Sequence, residues 1–156
     1  MLGWRNDAEV NLTAFCEENG LRRTLFSTEY YPAPQHRPPR LPYGKMGVYG
    51  FLMERLEEWL KIGKLGPKSQ ARSVSHHYLE GNAASCLPRS IWSDPEMSEV
   101  SEMDRYELRE WILQNISRMN ILISAGRTKA SCCDWRNISI VALNHGMRAG
   151  DAVAGS

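Results

Sequence analysis

Four side chains of this sequence combine types and spacings suited to phosphate chemistry. Tyr49 closes the triplet Gly47-Val48-Tyr49, eleven residues separate it from Lys61-Ile62-Gly63, and Arg72 is followed four places later by His76. Residues four apart on a helix stand on one face, so Arg72 and His76 can converge on a single group. Hydrolysis of a phosphodiester needs stabilisation of extra negative charge, an activated water and help for the leaving oxygen. Arg72 suits the first task, because a guanidinium stays charged at any working pH and grips two oxygens at once. Lys64, Lys68 and His77 stand close by in sequence as candidate contacts to nucleic-acid phosphates. Each residue also has a plainer reading. Tyr49 alone on an alternating strand is a core aromatic, the lysines are solvated cations, and His76 with His77 is a helix-surface pair.

The elements expected to position these groups follow from periodicity. Residues 47–53 alternate as a strand, with Tyr49, Phe51 and Met53 on one face and Val48 and Leu52 on the other. Beyond a polar turn at 54–58, residues 59–62 read as the antiparallel partner. Residues 63–66 should break that strand, and Pro67 suits the first turn of a helix running over 68–79. Upstream, Ala8, Leu12 and Phe15 recur at helical spacing, so a helix is expected over 7–19, capped by Asp7 and ended by Gly20. Pro32, Pro34, Pro38, Pro39 and Pro42 then exclude helix interior and central strand and make 31–42 an extended arm. Downstream, 82–95 reads as an irregular loop and 103–116 as a helix with Leu108, Trp111, Ile112 and Ile116 on one side. A short third strand is expected over 120–124. The last apolar stretch is 138–143, and the tail from 150 reads as loose.

The ordered set of triplets, arginine and histidine resembles the GIY-YIG nuclease family. There the first triplet contributes a tyrosine, the second normally another, and the following helix an arginine with a histidine one turn later. The segments LKIGKLGPKSQARSVSHHY (60–78) and EWILQNISRMNILI (110–123) look like a compact bacterial and phage branch, so that roughly 45–123 is covered. The resemblance implies an α/β (α+β) fold, a small antiparallel three-stranded sheet flanked by helices. It also implies a metal-dependent endonuclease acting on DNA, with one Mg²⁺ or Mn²⁺ held by a glutamate on a late helix. By the same resemblance Tyr49 accepts or relays the proton of the attacking water, Arg72 clamps the phosphate and His76 assists. Lys61 stands where the second tyrosine is usual, exchanging a hydroxyl for a cation.

The glutamate departs from the pattern. None follows Glu110, and Asp134 and Asp151 are the later carboxylates. Glu107 and Glu110 are the substitutes, and Glu107, flanking the Leu108, Trp111 and Ile112 face, is the better placed as metal ligand. Asn120 matches an asparagine of some relatives or serves a turn. The departure sets an alternative beside the enzyme, a catalytically inactive DNA-binding module of the same fold.

Bulk properties bound these readings without choosing between them. The 156 residues suit one domain, and 42% hydrophobic with 24% charged residues is the balance of a globular chain. The division expected is an N-terminal helix and Pro-rich arm over 1–44, the nuclease-like domain over 45–145 and a tail over 146–156. Nineteen basic against eighteen acidic residues leave a net charge of +1, so any DNA-binding surface must be local. Lys61, Lys64, Lys68 and Arg72 form an acid-free stretch that supplies one. No run approaches the roughly 18 apolar residues of a membrane span, and the chain reads as cytoplasmic, without a membrane partner. Cys16, Cys86, Cys132 and Cys133 lack CxxC spacing and read as free thiols.

Overall fold

The computed structural model describes residues 3–34, 37, 40–66, 68, 78 and 86–124. Helix α1 spans Gly3–Glu18 and buries Ala8, Leu12, Phe15 and Cys16, the spacing read from the sequence with one residue added. It starts earlier than expected, which leaves Asp7 inside the helix instead of at its cap. Gly20 does end it: at φ +63° it occupies the left-handed region, its amide donates to the Glu17 carbonyl, and the Leu21 amide donates to the Cys16 carbonyl. Those two bonds form a Schellman closure, which satisfies carbonyls the helix end would otherwise leave unpaired.

Four antiparallel strands follow: β1 (Phe26–Tyr31), β2 (Lys45–Met53), β3 (Glu58–Leu65) and, late in the chain, β4 (Ser117–Ser124). They form one sheet in the order β1-β4-β2-β3. The fold is thus α+β, as expected, but the sheet has a fourth strand that the sequence reading did not place. Phe26-Ser-Thr-Glu-Tyr-Tyr31 alternates along β1 and pairs with β4 from Phe26↔Ile123 to Tyr31↔Arg118. The division expected at residue 45 therefore runs through a single sheet.

The strands also run longer than their apolar cores. β3 continues through Gly63 to Leu65 instead of breaking there, because Gly63 lies directly across from Tyr49. Between β2 and β3 a short 3-10 turn at Glu54–Leu56 closes on Glu57, whose φ of 53° reverses the chain.

Pleating assigns the two faces. Val48, Leu52, Trp59, Met119, Ile121, Ile123 and Phe26 pack with α1 in one core. Trp4 of α1 meets Tyr30 and Trp59 edge-on at ring separations of 4.9 and 5.4 Å. Tyr49, Phe51, Met53, Leu65 and Leu122 face the opposite way, toward α2 (Cys86–Ser93) and α3 (Arg105–Asn115). The face division expected for residues 48–53 is the one observed.

Helix α2 replaces part of the loop expected over 82–95. Leu87 and Ile91, one turn apart, are buried, and Pro88 lies within the first turn, where a missing amide costs no helical bond. Helix α3 starts on a capping box: Asp104 accepts from the Tyr106 and Glu107 amides, and the Glu107 carboxylate accepts from the Asp104 amide. No helix among the described residues is long and apolar enough to cross a membrane.

Candidate functional site

The sheet face turned toward α2 and α3 carries two adjacent cross-strand rows of polar and aromatic side chains. Directly opposed residues of an antiparallel sheet share a face, with Cα atoms about 4.5–5.5 Å apart. One row reads Glu29, Asn120, Tyr49, Gly63 from β1 across to β3, and the next reads Tyr31, Arg118, Phe51, Lys61. Tyr49 and Lys61, placed together on sequence spacing, thus stand one row apart on one face. The register explains the glycine of the second triplet, since a Cβ at Gly63 would lie 2.3 Å from the Tyr49 hydroxyl oxygen. The tyrosine ring occupies the space a side chain would need.

Tyr49 is 3% exposed and stands edge-on to Phe51 at 5.6 Å. Beneath the two rings lies Arg118, fully buried, its guanidinium carbon 5.3 Å from each ring centre. Burying a cation is costly unless its donors find partners. Arg118 Nε donates to Asn120 Oδ1 at 2.9 Å, and Nη1 donates to the Tyr78 hydroxyl at 3.1 Å. Asn120 Nδ2 in turn donates to Glu29 Oε2 at 3.0 Å, an atom that also accepts from the Tyr31 hydroxyl at 3.0 Å. A carboxylate and a guanidinium are therefore joined through one amide across two strands. Burial, helped by the Glu29 charge, pushes the Tyr31 phenol up to about 12, so Tyr31 stays a donor. Burial likewise raises the Tyr78 phenol, against the lowering pull of Arg118.

The remaining expected site residues divide sharply. Arg72, His76 and His77 lie outside the described residues. Lys64 pairs with Val48, so its side chain leaves the sheet on the α1 face, away from Tyr49, and it is exposed. Lys68 is exposed in a turn. Glu107 is exposed at the start of α3, and its carboxylate closes the capping box. Its exposure differs from the semi-buried position expected of it. Glu110 is exposed and paired with Arg109. Asn120 does join the Tyr49 row, although as part of a strand and not of a turn.

A divalent ion finds no prepared ligand set here. No three His, Cys, Asp or Glu side chains lie together as a metal-holding group among the described residues. Glu29 is the carboxylate of the Tyr49 row, and one of its oxygens already serves Asn120 and Tyr31. Ligands for the ion that the family resemblance implies are thus not assembled as a group among the described residues.

Glu29, Tyr31, Tyr78 and Arg118 were not singled out from the sequence. For Arg118 the signal was present. In Ser-Arg-Met-Asn-Ile-Leu-Ile, Arg118 and Asn120 alternate with Met119, Ile121 and Ile123, which puts two polar residues on one buried face. No protein-family model matches the chain, and no curated protein or solved structure matches it.

Proposed function

We propose that the Tyr49 face of the sheet is a phosphodiester site and that the protein is a metal-dependent endonuclease hydrolysing DNA. The observation that carries this reading is the register Tyr49↔Gly63 and Phe51↔Lys61, which gathers Tyr49 of the first triplet and Lys61 and Gly63 of the second on one face beside Arg118 and Asn120. Tyr49 handles the proton of the attacking water, Lys61 replaces the usual second phenol with a cation, Arg72 clamps the phosphate and His76 assists. The residues described here supply proton-handling and charge. No group of three metal-ligating side chains for an Mg²⁺ or Mn²⁺ ion lies among the described residues.

A second reading has its own support. The deep burial of Tyr49 and the capping role of Glu107 favour a DNA-binding module of the same fold that does not cleave. Nicking of supercoiled plasmid in Mg²⁺ or Mn²⁺ separates the two. The enzyme reading expects relaxation that depends on the ion and falls roughly 100-fold or more in Tyr49→Phe and Arg72→Ala, as for loss of a group acting on the transition state. DNA retention that weakens with salt, without any nicking, selects the binding module. Absence of both rejects the phosphodiester site altogether.

A further inference from the structure

Arg118 carries the largest fully buried side chain of the sheet, yet neither triplet nor the arginine-histidine pair includes it. Its guanidinium plane has a fixed fork of donors, and four neighbours use that geometry at once. Asn120 accepts at Nε, Tyr78 accepts at Nη1, and the rings of Tyr49 and Phe51 lie over the cation at equal distances of 5.3 Å. The amide of Asn120 is held in one sense, oxygen toward Arg118 and nitrogen toward Glu29. Asn120 is also the direct cross-strand neighbour of Tyr49. The orientation of the guanidinium is therefore set from β1, through Asn120, before it meets the Tyr49 ring.

We propose that Arg118 is a positioning residue for Tyr49, with Asn120 as the residue that orients it. The cation holds the ring in its seat over Gly63 and so fixes where the phenol oxygen stands relative to a phosphate. A lysine cannot replace it, because a single ammonium has no planar fork to serve an amide and a phenol while facing two rings. The catalytic consequence rests on the nuclease reading above, whereas the seating of the ring does not.

The test uses the full chain with its six tyrosines replaced by 3-fluorotyrosine, followed by ¹⁹F NMR. The Tyr49 resonance is assigned by its loss in Tyr49→Phe. Arg118→Lys and Asn120→Ala are each expected to shift and broaden that resonance. In the nicking assay kcat per folded molecule falls roughly 10- to 100-fold, as for a misplaced reacting group, while KM for plasmid stays within about twofold. A role in stability alone predicts a lower melting temperature with the Tyr49 resonance in place and kcat per folded molecule unchanged, and that result overturns the proposal. If Arg118→Lys does not fold, Asn120→Ala decides by the same two readouts. If the wild-type protein does not nick DNA, the resonance alone decides. A shift then upholds the positioning of Tyr49 while the nuclease reading falls, and an unmoved resonance removes both.

Discussion

Gly63→Ala probes the contact on which the site is built. The added methyl would lie 2.3 Å from the Tyr49 hydroxyl oxygen, 2.5 Å from Cζ and 2.9 Å from Cε1, where ordinary contact begins at 3.4 Å. The ring must retreat by about 1 Å, and Phe51, Arg118 and the covering core leave it little room. Overpacking of this kind costs about 1–3 kcal/mol. Alanine recovers roughly 0.5–1 kcal/mol over glycine within a strand through lower chain entropy in the unfolded state. The net expectation is a loss of between about 0 and 2.5 kcal/mol, read from the urea midpoint at unchanged slope. With Tyr49→Ala as background the methyl no longer meets a ring, so the same change should stabilise by roughly 0.5–1 kcal/mol. Gly47→Ala supplies the contrast. Its methyl would lie 2.0 Å from the Ile121 carbonyl oxygen, which is backbone, so its larger loss should persist in both backgrounds. A Gly63→Ala change that stabilises the wild-type protein as much as it does the Tyr49→Ala background would refute the seating of Tyr49 over that glycine.

Two further outcomes follow from other parts of the fold. Asp104→Ala should cost about 1 kcal/mol through loss of the α3 cap, while Glu107→Gln, which keeps an acceptor for the Asp104 amide, should leave both stability and the ion dependence of nicking nearly unchanged. A Glu107→Gln protein whose nicking requires far more Mg²⁺ would identify Glu107 as a metal ligand. Burial alone would raise the Glu9 carboxyl, but hydrogen bonds from Thr28 and Arg23 outweigh it and hold its pKa below the ordinary value. The folded state therefore prefers the charged form. The resulting stability is present above the unfolded value, about 4.3, and is lost as pH falls through the lower folded value. Urea midpoints measured down the acid limb should fall less steeply in Glu9→Gln, and an identical slope would show that the α1–β1 contact does not depend on the charge.

The hairpin and its faces were legible because period-2 alternation depends on local sequence alone: Val48 and Leu52 had to oppose Tyr49 and Phe51 wherever the rest of the chain went. Helix α1 was legible for the same reason, through Ala8, Leu12 and Phe15. The extent of β3 was not. Gly63 looks like a breaker until Tyr49 is known to lie across from it, and that pairing is a property of register between two strands. β1 is hard to read beside the prolines that follow it, although Phe26, Thr28 and Tyr30 alternate with Ser27, Glu29 and Tyr31.

The unread strand matters to the site more than its edge position suggests. β4 carries Arg118 and Asn120 at the middle of the sheet, and a buried guanidinium next to two aromatic rings is tolerable only if its donors are met in the right directions. Asn120 can meet Nε with its oxygen only by turning its amide nitrogen the other way, toward β1. Glu29 accepts there, and Tyr31, held protonated, donates to the same oxygen. The edge strand thus completes a chain of hydrogen bonds that begins at Tyr78 and passes under Tyr49. What the triplets place by spacing is one phenol and one cation on a common face; what orients the phenol comes from residues on β1 and β4 that no local motif joins, because they meet only once the sheet has paired.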